Sequence, residues 1–171
     1  CLVGSEMCIR DRYNAFMSAF VENEQYQDVI DLYQSLKNAG LKLQLNQVSY
    51  LIVLTACAKG EFIELAMKIH QELMIENHSY LKDWLIQAQL IHIYGKCASL
   101  QISEDIFFNQ VTDKAKQNEV SVWNAMIQTY ASNGGINNAL RLFDEMISVK
   151  YELIPDEVTY IGILYLSLIH I

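Results

Sequence analysis

The groups in this 171-residue chain that could carry chemistry are four cysteines, four histidines and twenty acidic residues, and their spacing decides which chemistries are open. Cys57 and Cys97 stand in TACAKG and YGKCASL, near the ends of expected helices, and Cys1 and Cys8 lie at the extreme N-terminus. No Cys-x-x-Cys or His-x-x-x-His spacing occurs, so the ligand sets that close around zinc are missing and no metal or cofactor is expected. Buried free thiols in a reducing compartment are the reading these cysteines support. His70, His78 and His92 are isolated, with no acid or cysteine at a recurring ligand spacing. There are no glycosidase-like carboxylate pairs, no nucleophile motif and no Gly-rich loop following a strand. Independent catalysis is therefore not expected, and neither is a small-molecule substrate.

What the chain does repeat is an aromatic-Asn pair and its surroundings. The segment VSVWNAMIQTYASNGGINNALRLFDEMISVKYELIPD (120–156) has degraded copies elsewhere. Moved back 110 positions, Trp123-Asn124 falls on Tyr13-Asn14 and Leu142-Phe143 on Leu32-Tyr33. Moved back 73, Trp123 falls on Tyr50, Ala139 on Ala66, Leu142 on Ile69 and Glu145 on Glu72. Moved forward 37, Val122-Trp123 falls on Thr159-Tyr160. A period of this length that reads as two helices predicts stacked helix pairs, with function on the surface that the repeats present together.

The helices follow from apolar spacing. In the fourth repeat Val122, Trp123, Ala125, Met126, Ile127, Tyr130 and Ala131 form a stripe, Asn133-Gly134-Gly135 breaks it, and Ile136, Ala139, Leu140, Leu142, Phe143 and Met146 resume it. Ile154-Pro155-Asp156 ends the repeat, with Asp156 placed to cap the next helix. The first repeat (10–46) is expected to hold helices over 13–21 and 26–39, ending at Gly40. The second (47–83) is expected to hold 48–58 and 62–76. The third (84–119) should hold 84–97 and 102–111, with VTDKAKQNE as a longer polar connection. A fifth begins at Glu157 and runs to about residue 165. Tyr13, Tyr50, Trp123 and Tyr160 are expected as interlocking core residues.

Composition agrees with this plan. Hydrophobic residues make up 52% and charged residues 19%, too apolar for wholesale disorder. One proline and seven glycines suit helices with short connections rather than an all-β fold. The uncharged stretch from Leu43 to Ala58 is shorter than the roughly 20 residues of a spanning helix and contains Gln44, Asn46 and Gln47, so no membrane segment is read. CLVGSEMCIRDR (1–12) and LSLIHI (166–171) do not continue the repeat and resemble translated sequencing-adaptor read-through. They are expected to lie outside the repeat domain of residues 13–165, the lesser alternative being that 166–171 simply finishes a helix.

VWNAMIQTYASNGGINNALRLFDEM, followed by PDEVTYIGIL, resembles the pentatricopeptide repeat family. The features that carry the likeness are the aromatic-Asn pair, a small residue before Leu-x-x-F-x-x-M, and the Pro-Asp junction. QVSYLIVLTACAKGEFIELAMKIHQEL and LIHIYGKCASLQISEDIFF are similar to the longer and shorter variants of the subclass with alternating repeat types. The tetratricopeptide repeat is the nearest competitor, but its period is about 34 residues. The resemblance implies an all-α, right-handed α-solenoid of antiparallel helix pairs, about four repeats plus a truncated fifth. It also implies single-stranded RNA as partner, one base per repeat, and a mitochondrial or plastid setting.

The resemblance also assigns roles. The fifth residue of a repeat hydrogen-bonds a base edge and the last residue supports it, giving the pairs Asn14 with Asn46, Leu51 with Asp83, Ala88 with Glu119, and Asn124 with Asp156. An amide offers both a donor and an acceptor, and a neighbouring carboxylate can hold it in one orientation. Asn124–Asp156 resembles the family's uracil-preferring combination and Asn14–Asn46 a pyrimidine-preferring one. Leu51 and Ala88 carry no polar side chain and should contribute contact only. Second residues pack on base faces, a role open to Val48, Leu85 and Val158 but not to Ser121. Lys59 and Lys96, each thirteenth in its repeat, are placed to meet phosphates. On the residues alone, the lesser alternatives are that Asn14 and Asn124 are merely solvated polar positions, and Asp156 a helix cap and nothing more.

Net charge points the other way. Twelve basic against twenty acidic residues give −8, where RNA binders usually show basic surface. The acids gather in second helices and connections, at Asp28, Asp31, Glu61, Glu64, Glu72, Glu76, Asp144 and Glu145, while 48–58, 85–95 and 122–133 contain none. The rival function is a protein-interaction scaffold holding a peptide or partner helix in its groove. Recurrent amides and lysines on the concave side would favour RNA, and an exposed apolar stripe would favour protein.

Overall fold

The structure is a computed structural model that describes residues 6–38, 45–76, 79–97, 99–110, 119–148 and 153–169. Among these residues every regular element is helical. In chain order the α-helices are α1 (Glu6–Glu22), α2 (Tyr26–Asn38), α3 (Gln47–Gly60), α4 (Ile63–Glu76), α5 (Trp84–Lys96), α6 (Leu100–Asp105), α7 (Val120–Ser132), α8 (Ile136–Ile147) and α9 (Glu157–Ile169). A 3-10 turn at Tyr80–Lys82 precedes α5, and a π-helical turn at Ile106–Gln110 extends α6. No helix among the described residues is long and apolar enough to cross a membrane.

The turn that joins the two helices of a pair is the same in each repeat, down to its backbone hydrogen bond. The N–H of Gln25 reaches the carbonyl of Phe20, Phe62 that of Cys57, Ser99 that of Tyr94 and Gly135 that of Tyr130. Each bond spans five residues backward, the longer bond of a Schellman closure, and satisfies a carbonyl that the helix end would otherwise orphan. Such a closure needs one left-handed residue just past the helix. Glu24 (φ 60°), Glu61 (φ 63°) and Gly134 (φ 76°) occupy it. Only the last has the residue type that adopts this conformation without strain. The third repeat, the most degenerate in sequence, carries the same bond.

Cα packing divides the chain into two compact units, Cys1–Glu72 and Leu73–Ile171. In the first, α1 packs on α2 and α3, and α2 packs on α3. Met17, Val29, Ile30, Tyr33, Val53, Leu54 and Ile69 are among its buried residues. In the second, α5 packs on α7 and α7 on α9, forming a layer of first helices. α6 lies against α5 and α7, and α8 against α7 and α9, forming the second layer. The burial pattern follows from these positions. α8 buries one stripe, Ala139, Leu142 and Met146, and exposes Asn138, Arg141 and Asp144. α7, covered from several sides, buries Val122 through Ile127 and Thr129 through Ala131. An apolar, acid-free helix is what such a central place requires.

Several expected bounds differ. α1 starts at Glu6 rather than Tyr13, so helix runs through part of the segment set aside as a leader, and α9 reaches Ile169 across part of the segment set aside as a tail. Ala39 and Gly40, the expected end of α2, and residues 111–118 of the polar connection lie outside the described residues. The second helix of the third repeat, expected over 102–111, is α-helical only from Leu100 to Asp105 before widening into the π turn. The wider turn buries the consecutive Ile106 and Phe107 while Phe108 stays exposed. Phe107 meets the Trp123 ring edge-on at 5.2 Å.

Candidate nucleic-acid interface

Asn124 sits in the first turns of α7, and Asp156 immediately precedes α9, which packs against it. Asp156 caps α9: its Oδ1 accepts from the Thr159 backbone N–H at 2.9 Å, and the Thr159 hydroxyl accepts in return from the Asp156 N–H at 3.1 Å. This reciprocal cap fixes an acceptor oxygen beside α7. The Asn124 amide donates to that oxygen through Nδ2 at 2.8 Å, and the Thr159 hydroxyl donates to Asn124 Oδ1 at 2.6 Å. The amide is thereby held at both ends. Asn124 is 8% exposed and Thr159 1%, whereas Asp156 lies at the surface.

The same arrangement recurs at the first repeat boundary. Asn46 caps α3, accepting from the Ser49 N–H at 2.9 Å, and the Ser49 hydroxyl lies 3.3 Å from the Asn46 N–H. Asn14 on α1 donates through Nδ2 to Asn46 Oδ1 at 3.2 Å, and the Ser49 hydroxyl lies 2.8 Å from both Asn14 Oδ1 and Asn46 Oδ1. A hydroxyl has one proton, and Asn46 Oδ1 already accepts from Ser49 N–H and Asn14 Nδ2. The proton therefore belongs to Asn14 Oδ1, and both amide orientations follow from the network. Asn14 is also 8% exposed.

The two sets differ in what the cap leaves over. Asn46 keeps an Nδ2 group that can donate; Asp156 keeps a carboxylate oxygen that can accept. Partial burial pulls the Asp156 carboxyl toward a higher pKa. The hydrogen bonds from the Thr159 N–H, the Asn124 amide and the Val158 N–H outweigh it and hold the pKa below the usual carboxylate range. Asp156 is thus an anion in neutral solution.

The other predicted residues are placed as follows. Asp83 caps α5 through bonds from the Leu85 and Ile86 N–H groups at 2.9 and 3.1 Å. Leu51 belongs to the first compact unit and Asp83 to the second. Glu119 precedes α7 but makes no side-chain capping bond, and Ala88 is half-buried on α5. Val48 and Val158, second in their repeats, are more than half exposed at 51% and 56%; Leu85 is half-buried. Lys59 and Lys96 are exposed in the last turns of α3 and α5. Of the aromatics, Tyr50 and Trp123 are buried and Tyr13 is half-buried. Tyr160 departs from the expected core position, being largely exposed with its ring edge-on to Phe143 at 6.3 Å.

Ser49 and Thr159 were not legible as site residues from the repeat pattern, although a signal existed. In Asn-Gln-Val-Ser (46–49) and Asp-Glu-Val-Thr (156–159) a capping residue is followed three positions on by a hydroxyl, the spacing of a reciprocal cap. No group of three or more His, Cys, Asp or Glu residues that could hold a metal occurs among the described residues. Burial pushes the Cys57 thiol up to about 12 and lowers the imidazole pKa of His70 and His92, in the last case with help from Lys96.

Repeated helix pairs joined at polar three-residue networks define a helical-repeat protein, and sequence comparison says which. A model described as PPR repeat matches residues 13–41 and 48–78, and one described as PPR repeat family matches 118–165. The Arabidopsis thaliana pentatricopeptide repeat-containing protein At5g50990 is 30% identical over 154 residues, covering 89% of this chain and 27% of that protein. The mitochondrial pentatricopeptide repeat-containing protein At2g03880 of the same plant is 29% identical over 153 residues, covering 90% and 22%. The crystal structure of the maize pentatricopeptide repeat protein PPR10 aligns over 91% of this chain and 26% of its own, at 20% identity and a TM-score of 0.48. The chain belongs to the pentatricopeptide repeat family, whose members are generally RNA-binding. It spans about a quarter of the length of the curated relatives named here.

Proposed function

We propose that this chain is part of a sequence-selective binder of single-stranded RNA, with repeats bounded near Asn46, Asp83, Glu119 and Asp156. The observation that carries the reading is the pair of matching networks, Asn14–Asn46 and Asn124–Asp156. Each leaves one amide proton and one amide lone pair unspent beside a capping group. An N–H and a C=O side by side complement the edge of a pyrimidine. Beside Asn124 the capping group is an anionic acceptor, which favours the N3–H of uracil over the unprotonated N3 of cytosine. Beside Asn14 it is a neutral amide, and the resemblance gives that pair a preference for pyrimidines. Leu51 and Ala88 give contact without choice, Val48, Leu85 and Val158 pack on base faces, and Lys59 and Lys96 meet phosphates.

The charge distribution supports this reading. α3, α5 and α7 carry no acidic residue, so the overall negative charge lies elsewhere. Relatives named mitochondrial or chloroplastic support an organellar setting, with a role in RNA processing, editing or stability. The described repeats serve as a binding surface rather than a catalytic one.

The test sets the fourth repeat in a longer array and measures binding to oligonucleotides that differ at one base. Asn124→Ala is expected to cost about 1 kcal/mol with uracil and to flatten the preference at that base. Lys96→Ala should weaken all sequences alike and lower the salt slope by about one. An array indifferent to base identity before and after Asn124→Ala would refute the reading and leave a protein scaffold in its place.

A further inference from the structure

In a base-reading group only two residues are usually held responsible, yet the networks at Asn14 and Asn124 each contain a third. Its position is the same in both: Ser49 and Thr159 follow their amide by 35 residues, each as the third residue of the next repeat. Each is fully or almost fully buried, at 0% and 1% exposure. The hydroxyl is anchored before it meets the amide. It accepts from the N–H of the capping residue, which aims its proton away from the helix end and toward the amide oxygen.

Without the hydroxyl the amide would be held at one point only, Nδ2 on the capping oxygen. A single bond lets the amide plane pivot, carrying the remaining proton and lone pair away from a fixed direction. The second bond, to Oδ1, removes that freedom. It also satisfies one lone pair of that oxygen, on the side that faces the following helix, and leaves the other.

The residue types are matched through the chain. Where the fifth residue is Leu51 or Ala88, the third residue of the next repeat is Ile86 or Val122, each buried and without a hydroxyl. A hydroxyl without an amide would have only the capping oxygen to serve, and an amide without a hydroxyl would lose its second anchor. Amide and hydroxyl occur together, or neither occurs.

We propose that Ser49 and Thr159 are positioning residues for base recognition. They fix the plane of the Asn14 and Asn124 amides, so that the specificity group comprises the fifth residue, the capping residue and the third residue of the following repeat. The inference rests on the RNA-reading function proposed above. It takes a single-stranded RNA base with a pyrimidine edge as the ligand, and assigns no contact between the hydroxyl and the base.

The test uses the whole chain, with isotope labelling and two readouts. The first follows the side-chain amide signals of Asn124 without RNA in Thr159→Val and Thr159→Ser. The second titrates each form with four short RNA oligonucleotides that differ at the base facing repeat four, read as chemical-shift changes that tolerate weak binding. Thr159→Val is expected to move the Asn124 amide signals, speed their exchange with solvent, and cut the preference for uracil about threefold to tenfold, the range of one hydrogen bond. Thr159→Ser should keep both properties near those of the unaltered chain. A role confined to capping α9 would lower stability and weaken all four oligonucleotides alike, leaving their ratios unchanged, and that result overturns the proposal. Should the unaltered chain show no base preference, the RNA reading fails and the first readout decides alone. Unchanged Asn124 signals in Thr159→Val then overturn the positioning role, and displaced signals restored by Thr159→Ser uphold it.

Discussion

Replacing Gly95 with alanine tests whether the spacing of the successive first helices α5 and α7 is set by side-chain contact. Gly95 lies in the last turn of α5, facing α7. A Cβ added there would stand 2.6 Å from both Cγ2 and Oγ1 of Thr129 and 3.1 Å from its Cβ. Thr129 cannot easily give way: it is buried, and its hydroxyl reaches toward the Ile91 carbonyl at 3.4 Å. Asn133 ties the same place, donating to the Gly95 carbonyl at 2.9 Å. The two helices would have to part by about 1 Å to restore ordinary contact. Overpacking of this kind costs about 1–3 kcal/mol, and the helix preference of alanine over glycine returns about 1 kcal/mol. Gly95→Ala is therefore expected to destabilise by about 1 kcal/mol net. Thr129→Ala removes both offending atoms, so the double variant should be more stable than the sum of the singles by roughly 1 kcal/mol or more. Denaturant unfolding of the four forms measures this. Additivity within about 0.4 kcal/mol, or a Gly95→Ala form more stable than the parent, would show that no such close approach governs the pair.

Three further outcomes follow from the helix ends. Glu61→Gly relieves a left-handed glutamate and is expected to raise stability by up to about 1 kcal/mol, while Gly134→Ala, which meets nothing within 4 Å, should lower it by a similar amount through backbone strain alone; chemical denaturation reads both. The Asp156 carboxyl has a folded pKa below its unfolded value, so its stabilisation is fully present above the ordinary carboxylate pKa of 3.8 and is lost as pH falls through the folded pKa; an acid titration of stability should lose that component in Asp156→Asn, and an unchanged acid profile would contradict the assignment.

The parts of this molecule that show in the sequence are those fixed by periodic burial or by a local chemical preference. Trp123 and the stripe through Tyr130 announce α7 because a central helix cannot carry charge. Pro155-Asp156 announces the start of α9 because the cap is local. What stays hidden depends on contacts across a boundary. Ser49 and Thr159 look like ordinary first-turn polar residues until packing sets them beside an amide from the preceding repeat. The π turn after Asp105 accompanies the packing of Phe107 on Trp123, a residue on another helix. Glu24 and Glu61 give no hint of left-handed backbone, since the pull comes from the closure bonds of Gln25 and Phe62 rather than from the glutamates.

The networks at Asn14 and Asn124 have a consequence for how such arrays can be cut and rejoined. The helix pair is the natural segment of folding, but each polar network begins at the fifth residue of one pair and closes at the third residue of the next. A crossover placed at the Pro-Asp junction would separate an amide from its hydroxyl and could unite a polar residue with an apolar one. A crossover a few residues later, after Ser49 or Thr159, transfers the group intact. The segment that can be inherited or transplanted with its polar network whole is thus out of phase with the segment that folds.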